Sequence, residues 1–247
     1  MTAFCQLLKG EFLKQRRSFT WPLLLLTPVV AGGLTFINLF VRYDYLMSLE
    51  GDQGFTSWNL LLLQHHFLWM FFLPLVVTVF SSMIHHMEYR SNSWKNIFAL
   101  PVSKRRVYLA KWFAVFLLGS LMVWMNGVVL MIVGKLLGFP EGMDFILILK
   151  YTLYQMAAMM SLISFQCCLS AEIRNTNIVL AVGFVGVASS LFFAQSETLS
   201  KFIPYAHLIY ALPDPTVDNQ IAFRYGLVFG VFFLLLGVFS FCRKEID

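Results

Sequence analysis

Two pairs of adjacent histidines are the side chains of this sequence best suited to bind a metal ion. His65-His66 and His85-His86 stand 20 residues apart within a long apolar stretch. In a helix that rises about 1.5 Å per residue the pairs would lie about 30 Å apart, so one ion cannot bridge them. That distance matches the hydrocarbon core of a bilayer, about 30 Å thick. The pairs are therefore predicted to mark the two interfaces of a membrane span, and no metal site is predicted.

Sequence motifs for catalysis and nucleotide binding are missing. The stretch most similar to a phosphate-binding loop runs from Gly127 to Gly134-Lys135, with six intervening residues where the motif has four, and it lies in an apolar run. The sequence has no HExxH motif, no Gly-x-Ser-x-Gly motif and no paired carboxylates inside an apolar run. We therefore expect no catalytic residue, no metal and no cofactor in this chain.

The composition indicates a membrane protein. Of the 247 residues, 59% are hydrophobic and 13% are charged, and the mean hydropathy is +0.73. A soluble domain contains roughly 25% charged residues, and a chain this short could not bury so much apolar surface in water. The net charge of +5 does not indicate nucleic-acid binding, because the basic residues fall in short segments between apolar runs.

Six apolar runs are long enough to cross a bilayer as helices, which takes roughly 20 residues each. They predict an all-α polytopic membrane protein with one transmembrane domain over residues 1–247. The predicted spans are about 19–41, 62–84, 112–134, 151–171, 175–196 and 225–242. In the last span, Gly226 and Gly230 have the spacing of a helix-packing face, although two glycines at this spacing also arise by chance.

The distribution of lysine and arginine predicts the orientation. Six spans place both termini on one side of the membrane, and 13 of the 18 basic residues then lie on that side, against five on the other. Cytoplasmic segments are enriched in lysine and arginine. We therefore predict that both termini are cytoplasmic.

The first residues predict an amphipathic helix that lies in the cytoplasmic interface of the membrane. Phe4, Leu7, Leu8 and Phe12 follow the i, i+3, i+4, i+8 spacing of one helical face. Basic side chains that follow this face suit anionic lipid headgroups. The alternative is an ordinary basic leader before the first span.

The connection between the second and third spans predicts a short helix with an aromatic face. Trp94, Ile97 and Phe98 have i, i+3, i+4 spacing, and Pro101 ends the helix. Two serines can cap its beginning, Ser91 and Ser93. Because so short a helix is not stable alone, its apolar face must rest on the membrane or on another protein.

The same connection resembles the first cytoplasmic loop of ABC-2-type permeases. The resemblance rests on Glu88-Tyr89-Arg90, on the short helix, on the stretch from Leu100 to Arg106 and on Lys111. The N-terminal stretch from Gly10 to Lys14 and the six spans are also similar to that family. In such permeases the short helix is a coupling helix that docks on an ATPase subunit. The residues that the resemblance assigns to coupling are Ser93, Trp94, Lys95, Ile97 and Phe98.

The resemblance implies a permease subunit of an ABC transporter, with ATP and Mg²⁺ bound by separate ATPase subunits. It also implies a second permease, identical or similar, and a bacterial plasma membrane. The strongest likeness is to permeases of lantibiotic-immunity and bacitracin-resistance systems. That subgroup predicts movement of a membrane-associated amphiphile, such as a peptide antibiotic, out of the membrane. Membrane lipid is a further expected partner, and nucleic acid is not.

Few polar side chains are expected inside the spans, where Asn126 is the clearest. Transporters driven by protons or sodium carry ionisable or unwound polar sites at that depth. Energy supplied by a partner is therefore favoured over ion coupling. The alternative function is a membrane enzyme, a sensor or a scaffold protein without a recognised motif.

The last external segment, about 197–224, is too apolar to stay in open water. The family resemblance implies short re-entrant or interfacial helices in this segment. The alternative is an aromatic belt at the membrane interface.

Overall fold

A computed structural model describes residues 2–16, 18–49, 55–90 and 102–244, which form helices and no strand. In chain order the α-helices are α1 (Thr2–Gln15), α2 (Thr20–Leu49), α3 (Ser57–Arg90), α4 (Lys104–Leu137), α5 (Phe145–Glu172), α6 (Thr176–Ala194), α7 (Glu197–Phe202), α8 (Pro204–His207) and α9 (Gly226–Arg243). A 3₁₀ helix (Ile209–Ala211) follows α8, and a π-helix (Ile221–Tyr225) runs directly into α9.

Six helical segments of the described residues are long and apolar enough to cross a membrane, namely α2 to α6 and the π-helix joined to α9. They confirm the predicted all-α polytopic fold with six spans. Several helices extend beyond the predicted spans, since α3 begins at Ser57 and α4 begins at Lys104. A helix does not have to stop where the hydrocarbon stops, because its backbone groups are hydrogen-bonded internally at any depth.

Contacts between residues far apart in the chain join the helices at both ends of the bundle. We call the end that holds α1 the terminal end. There, Lys104 Nζ at the start of α4 donates to the carbonyl of Lys244, 2.7 Å away, just after α9. At the opposite end, which we call the far end, Ser57 Oγ donates to a carboxylate oxygen of Glu141 over 2.5 Å. The α4–α5 connection is thereby held against the first residue of α3.

Helices α3 and α5 form the centre of the bundle. Of the 18 consecutive residues that are most apolar in α3, 61% are buried, whereas the same share is 22% in α6 and 22% in the last span. The centre contains polar contacts as well as apolar ones, since the Trp69 indole on α3 donates to Gln155 on α5 over 2.9 Å. The outer helices expose mostly leucine, valine and phenylalanine side chains, which suit contact with lipid.

Two glycines let α9 approach α5 closely. A Cβ atom at Gly226 would stand 2.6 Å from the backbone oxygen of Ala157, and one at Gly230 would stand 3.2 Å from the backbone of Met160. Small residues at such a spacing allow two membrane helices to bring their backbones together. The helix-packing face predicted from these glycines is therefore confirmed.

Substitution Gly226→Ala is expected to destabilise the protein by about 1–3 kcal/mol, because the added methyl group meets a backbone atom that cannot turn aside. Thermal unfolding of the purified protein in detergent measures the change. The matched control is Gly33→Ala on α2, where a Cβ atom would meet nothing within 4 Å. The control should be neutral or stabilise the protein by up to about 1 kcal/mol, the helix propensity of alanine over glycine. Equal melting temperatures for the two variants would contradict the close approach of α9 to α5.

Candidate functional site

The predicted coupling residues lie outside the described residues, and their role stays a prediction. They are Ser93, Trp94, Lys95, Ile97 and Phe98. The structure does describe the two helix ends that segment 91–101 joins, since α3 ends at Arg90 and α4 begins at Lys104. The side chains that hold these two ends in place form the first part of the candidate site.

The apolar face of α1 packs against the protein. The four residues predicted to share this face, Phe4, Leu7, Leu8 and Phe12, are all half-buried. Leu7, Leu8 and Phe12 pack against the hydrophobic core, and the Phe4 ring meets the edge of the Phe113 ring on α4 with centroids 6.2 Å apart. The predicted apolar face therefore covers the beginning of α4, and the placement of α1 in the membrane interface stays a prediction.

Four ionised side chains meet under α1 in what we call the charge cluster: Glu11, Lys14, Glu88 and Lys111. Lys111 Nζ on α4 lies 2.6 Å from Glu88 on α3 and 3.0 Å from Glu11 on α1, and it also donates to the carbonyl of Ile84 over 2.9 Å. The Lys111 side chain is fully buried, and 2% of the Glu88 side chain is exposed. One lysine thus joins the N-terminal helix to the end of α3 and the start of α4.

Lys14 completes the charge cluster from the solvent side. Its Nζ atom lies 2.8 Å from Glu11 and 2.7 Å from Glu88. Burial lowers the pKa of Lys14, but the two carboxylates outweigh burial and raise that pKa above its ordinary value. Two lysines and two glutamates balance, so the charge cluster is neutral as a whole. Removing any one member leaves a net charge in a buried place.

The connection between α6 and the last span folds into the bundle as short helices, as the family resemblance implied. We call residues 197–211 the hairpin. Its α8 residues are all buried, from Pro204 to His207. The Tyr205 hydroxyl accepts a hydrogen bond from Gln166 on α5. The Tyr205 ring also lies against Gly186 on α6, where a Cβ atom would stand 2.4 Å from it.

Histidines fasten the hairpin to the spans. His66 Nε2 on α3 donates to the carbonyl of Ile209 over 2.9 Å, because a carbonyl can only accept. His66 Nδ1 then accepts from the Tyr151 hydroxyl, 3.1 Å away on α5. His207 Nδ1 lies 2.8 Å from Ser161 Oγ on α5. His207 Nε2 lies 3.1 Å from the carbonyl of Lys201, to which it can only donate.

The hairpin reaches roughly the middle of the bundle. Ser161 stands 11 residues before the last residue of α5 and 16 residues after the first. At about 1.5 Å per residue these intervals correspond to about 17 and 24 Å along the helix. His207, which touches Ser161, therefore lies near the midplane of the spans, and the hairpin fills the space between α3, α5 and α6 from the far end to that depth.

Comparison with known proteins decides the family. The sequence model of the family described as ABC-2 family transporter protein matches residues 7–194, which is most of the chain. This chain belongs to the ABC-2 transporter family. It is the membrane component of an ABC transporter, a permease, and is not itself catalytic. No curated protein matches the chain.

The matched range contains the whole charge cluster. Of the hairpin region, it contains the residues of α3, α5 and α6 that the hairpin packs against, but not the hairpin itself. All four members of the charge cluster lie within 7–194. The hairpin begins after residue 194, whereas the residues of α3, α5 and α6 that it contacts come before residue 194. In this permease the charge cluster joins α1, α3 and α4 at the terminal end, whereas the hairpin packs against α3, α5 and α6 from the far end, so the two parts share α3.

The spans of the permease are more polar than the sequence analysis anticipated. Besides Asn126, the buried polar side chains include the histidines of α3 and two glutamines of α5, Gln155 and Gln166. These groups pair with neighbours instead of gathering in one place: His65 Nδ1, for example, lies 3.0 Å from the Thr35 hydroxyl. Within the described residues, every buried carboxylate and lysine belongs to the charge cluster, and no three potential metal ligands come together.

The charge cluster was missed as a unit in the sequence. Glu88 and Lys111 were noted only as marks of the family resemblance, and Glu11 and Lys14 only as part of the N-terminal stretch. The one signal within reach was the i, i+3 spacing of Glu11 and Lys14, which brings opposite charges together on a helix. Nothing in the spacing indicates that Lys111, 100 residues later in the chain, inserts beside Glu11.

Proposed function

We propose that separate ATPase subunits dock on segment 91–101 of this permease and drive transport through the charge cluster. The observation that carries the proposal is the position of the cluster. Glu88 precedes segment 91–101 and Lys111 follows it, and Lys111 lies within 3.0 Å of carboxylates from both α1 and α3. A push on the segment therefore reaches α1, α3 and α4 together.

Buried ion pairs suit this transmission. Separating one member of a buried pair from its partners costs roughly 3–5 kcal/mol, so the three helix ends move as one body. ATP and Mg²⁺ belong to the ATPase subunits. A second permease, as an identical or similar copy, completes the pathway. Both termini and segment 91–101 face the cytoplasm, where ATP is available, and the membrane is a bacterial plasma membrane.

The proposed substrate is a membrane-associated amphiphile, such as a peptide antibiotic or a lipid-linked molecule, which leaves from the bilayer. Two features support this class: the resemblance to immunity-type permeases, and the leucine, valine and phenylalanine side chains that the outer helices expose towards the bilayer. Hydrolysis of ATP by the reconstituted complex should rise when a lantibiotic or bacitracin is added. Stimulation by small hydrophilic solutes alone would contradict the proposal.

Substitution of Trp94 and Phe98 by alanine tests the docking site. Truncating a large aromatic anchor in a protein interface costs roughly 2 kcal/mol or more, so each variant should bind the co-expressed ATPase about 30-fold more weakly. The matched control is Lys95→Ala, which removes a charge beside the aromatic face and should weaken binding much less. Affinity is measured by pull-down of the ATPase with permease that has been checked for correct membrane insertion.

A Trp94→Ala, Phe98→Ala double variant separates the two interpretations of the aromatic face. Undiminished ATPase binding and full transport by the double variant would mean that these side chains rest in the lipid headgroups. Loss of binding would also support a cytoplasmic location of segment 91–101, because the ATPase is supplied on that side.

A further inference from the structure

A groove runs along the outer surface of the last helix at the terminal end of the bundle. Its volume is about 550 Å³, and its lining consists of Arg105, Leu235, Val238, Phe239, Cys242 and Arg243. Five of these residues share one face of α9, at the i, i+3, i+4, i+7, i+8 spacing of a helical stripe. Arg105 comes from the first turn of α4. The lining therefore combines apolar side chains of α9 with two arginines, one from the first turn of α4 and one from the last turn of α9.

The groove is open to the surroundings of the bundle. Leu235 is 64% exposed and Phe239 is 56% exposed. The opposite face of α9 is the one that packs inward, because Gly237 and Phe241 are buried against Tyr108 of α4. No helix of the described residues covers the outer face. At this height in a membrane, the neighbours of such a face are the headgroups and first acyl carbons of lipids.

The two arginines of the groove have no acidic partner among the described residues. All four salt bridges of those residues lie in the charge cluster. Glu172, at the end of α5, is engaged on another face of α9, where its carboxylate accepts from Ser240. The Arg243 guanidinium lies 4.0 Å from the centre of the Phe239 ring, which holds it over the groove.

The neighbouring lysines are occupied elsewhere. Lys104 Nζ donates to the carbonyl of Lys244, and Lys244 Nζ donates to the carbonyl of Ala171 over 2.6 Å. The first bond ties the start of α4 to the residue after α9, and the second ties that residue to the end of α5. The backbone is thereby held in place next to Arg105 and next to Arg243, which both line the groove.

We infer that this groove binds an anionic phospholipid. Its phosphate would lie between Arg105 and Arg243, and an acyl chain would follow Leu235, Val238 and Phe239 along α9. Guanidinium groups form paired hydrogen bonds with phosphate oxygens, and basic pockets between membrane helices recognise anionic headgroups. The apolar side chains of the lining distinguish a lipid from a free anion. None of the lining residues belongs to the proposed docking segment, and the inference does not depend on that proposal.

Native mass spectrometry of the delipidated full chain tests the inference, with two lipids that share the same acyl chains. Dioleoyl phosphatidylglycerol is expected to bind at least about tenfold more tightly than dioleoyl phosphatidylcholine, a difference of about 1.4 kcal/mol. The double variant Arg105→Gln, Arg243→Gln should lose this preference. The matched control is Arg106→Gln, an exposed arginine of the same helical turn that does not line the groove. It should change phosphatidylglycerol affinity by no more than about twofold.

Further measurements distinguish a bound lipid from a free anion or a second copy of the chain in the groove. Leu235→Asn should weaken both lipids severalfold, because it places an amide among the apolar side chains of the lining. Soluble glycerophosphoglycerol at millimolar concentration should fail to displace the bound lipid. The inference is overturned by equal binding of the two lipids, by full binding to the double variant, or by displacement with the soluble headgroup. It is also overturned if the double variant changes the oligomeric state, since a second copy would then occupy the groove.

Discussion

Replacing Lys111 with methionine is expected to destabilise the permease by about 3–5 kcal/mol, the range found when one partner of a buried ion pair is removed. The substitution leaves Glu11 and Glu88 with Lys14 alone, so the charge cluster carries a net negative charge in a buried place. The Lys111 side chain is fully buried, whereas 36% of the Lys14 side chain is exposed. Lys14→Met is therefore the matched control, and its loss of stability should be clearly smaller.

A double-mutant cycle isolates the interaction between Lys111 and Glu88. Glu88→Gln alone leaves a net positive charge, and Lys111→Met alone leaves a net negative one. The double variant keeps the Glu11–Lys14 pair and is neutral, so it should be no less stable than either single variant. Unfolding in mixed detergent micelles gives the three free-energy changes. If the losses of unfolding free energy in the two single variants simply add in the double variant, the two residues do not interact. The charge cluster could then not make the ends of α3 and α4 move together.

If the charge cluster transmits motion, its loss should uncouple ATP hydrolysis from transport, and this effect can be separated from any effect on stability. In the double variant the charges still balance, but α4 is no longer tied by an ion pair to the end of α3. ATP hydrolysis by the complex should then continue while transport per ATP falls. Full transport efficiency in a stable double variant would assign the cluster a purely structural role.

The six spans were predictable because each depends only on the composition of its own stretch of sequence. A helix that crosses a bilayer must be apolar over roughly 20 residues whatever its neighbours are, and each such run can be read from the sequence by itself. The bounds of α3 and α4 were less predictable. Ser57 and Lys104 lie beyond the predicted spans, where the sequence does not require the helix to continue and tertiary contacts decide.

The family resemblance implied the short helices of the hairpin. The charge cluster and the contacts of the hairpin were not predictable, because those contacts join distant parts of the chain. Lys111 stands just before an apolar span, and a lysine in that position ordinarily reaches for the membrane surface. Its burial depends on α1 folding back over the start of α4, which no residue spacing reveals. The apolar composition of segment 197–224 excluded a plain exposed loop, but it did not indicate that His207 meets Ser161 or that His66 meets Ile209.

Adjacent histidines on α3 allow a sharp test of the hairpin, because they are equally buried but differently bonded. His66 joins the Ile209 carbonyl of the hairpin to the Tyr151 hydroxyl of α5. The Thr35 hydroxyl lies 3.0 Å from His65 Nδ1 and donates to the carbonyl of Ala31 over 2.9 Å. Replacing His66 therefore deprives two buried polar groups of a partner, whereas the Thr35 hydroxyl keeps one when His65 is replaced.

His66→Leu is expected to destabilise the permease by roughly 2 kcal/mol or more, since each buried group left unsatisfied costs about 1–3 kcal/mol. His65→Leu, the matched control, should change stability by less than about 1 kcal/mol. Thermal unfolding measures both. Hydrogen exchange locates the effect: in His66→Leu the amides of Ala206 and Ala211, which bond to Ile203 and Leu208 inside the hairpin, should exchange faster. Equal exchange at these amides in the two variants would mean that the hairpin is held by its apolar contacts alone, with no share for His66.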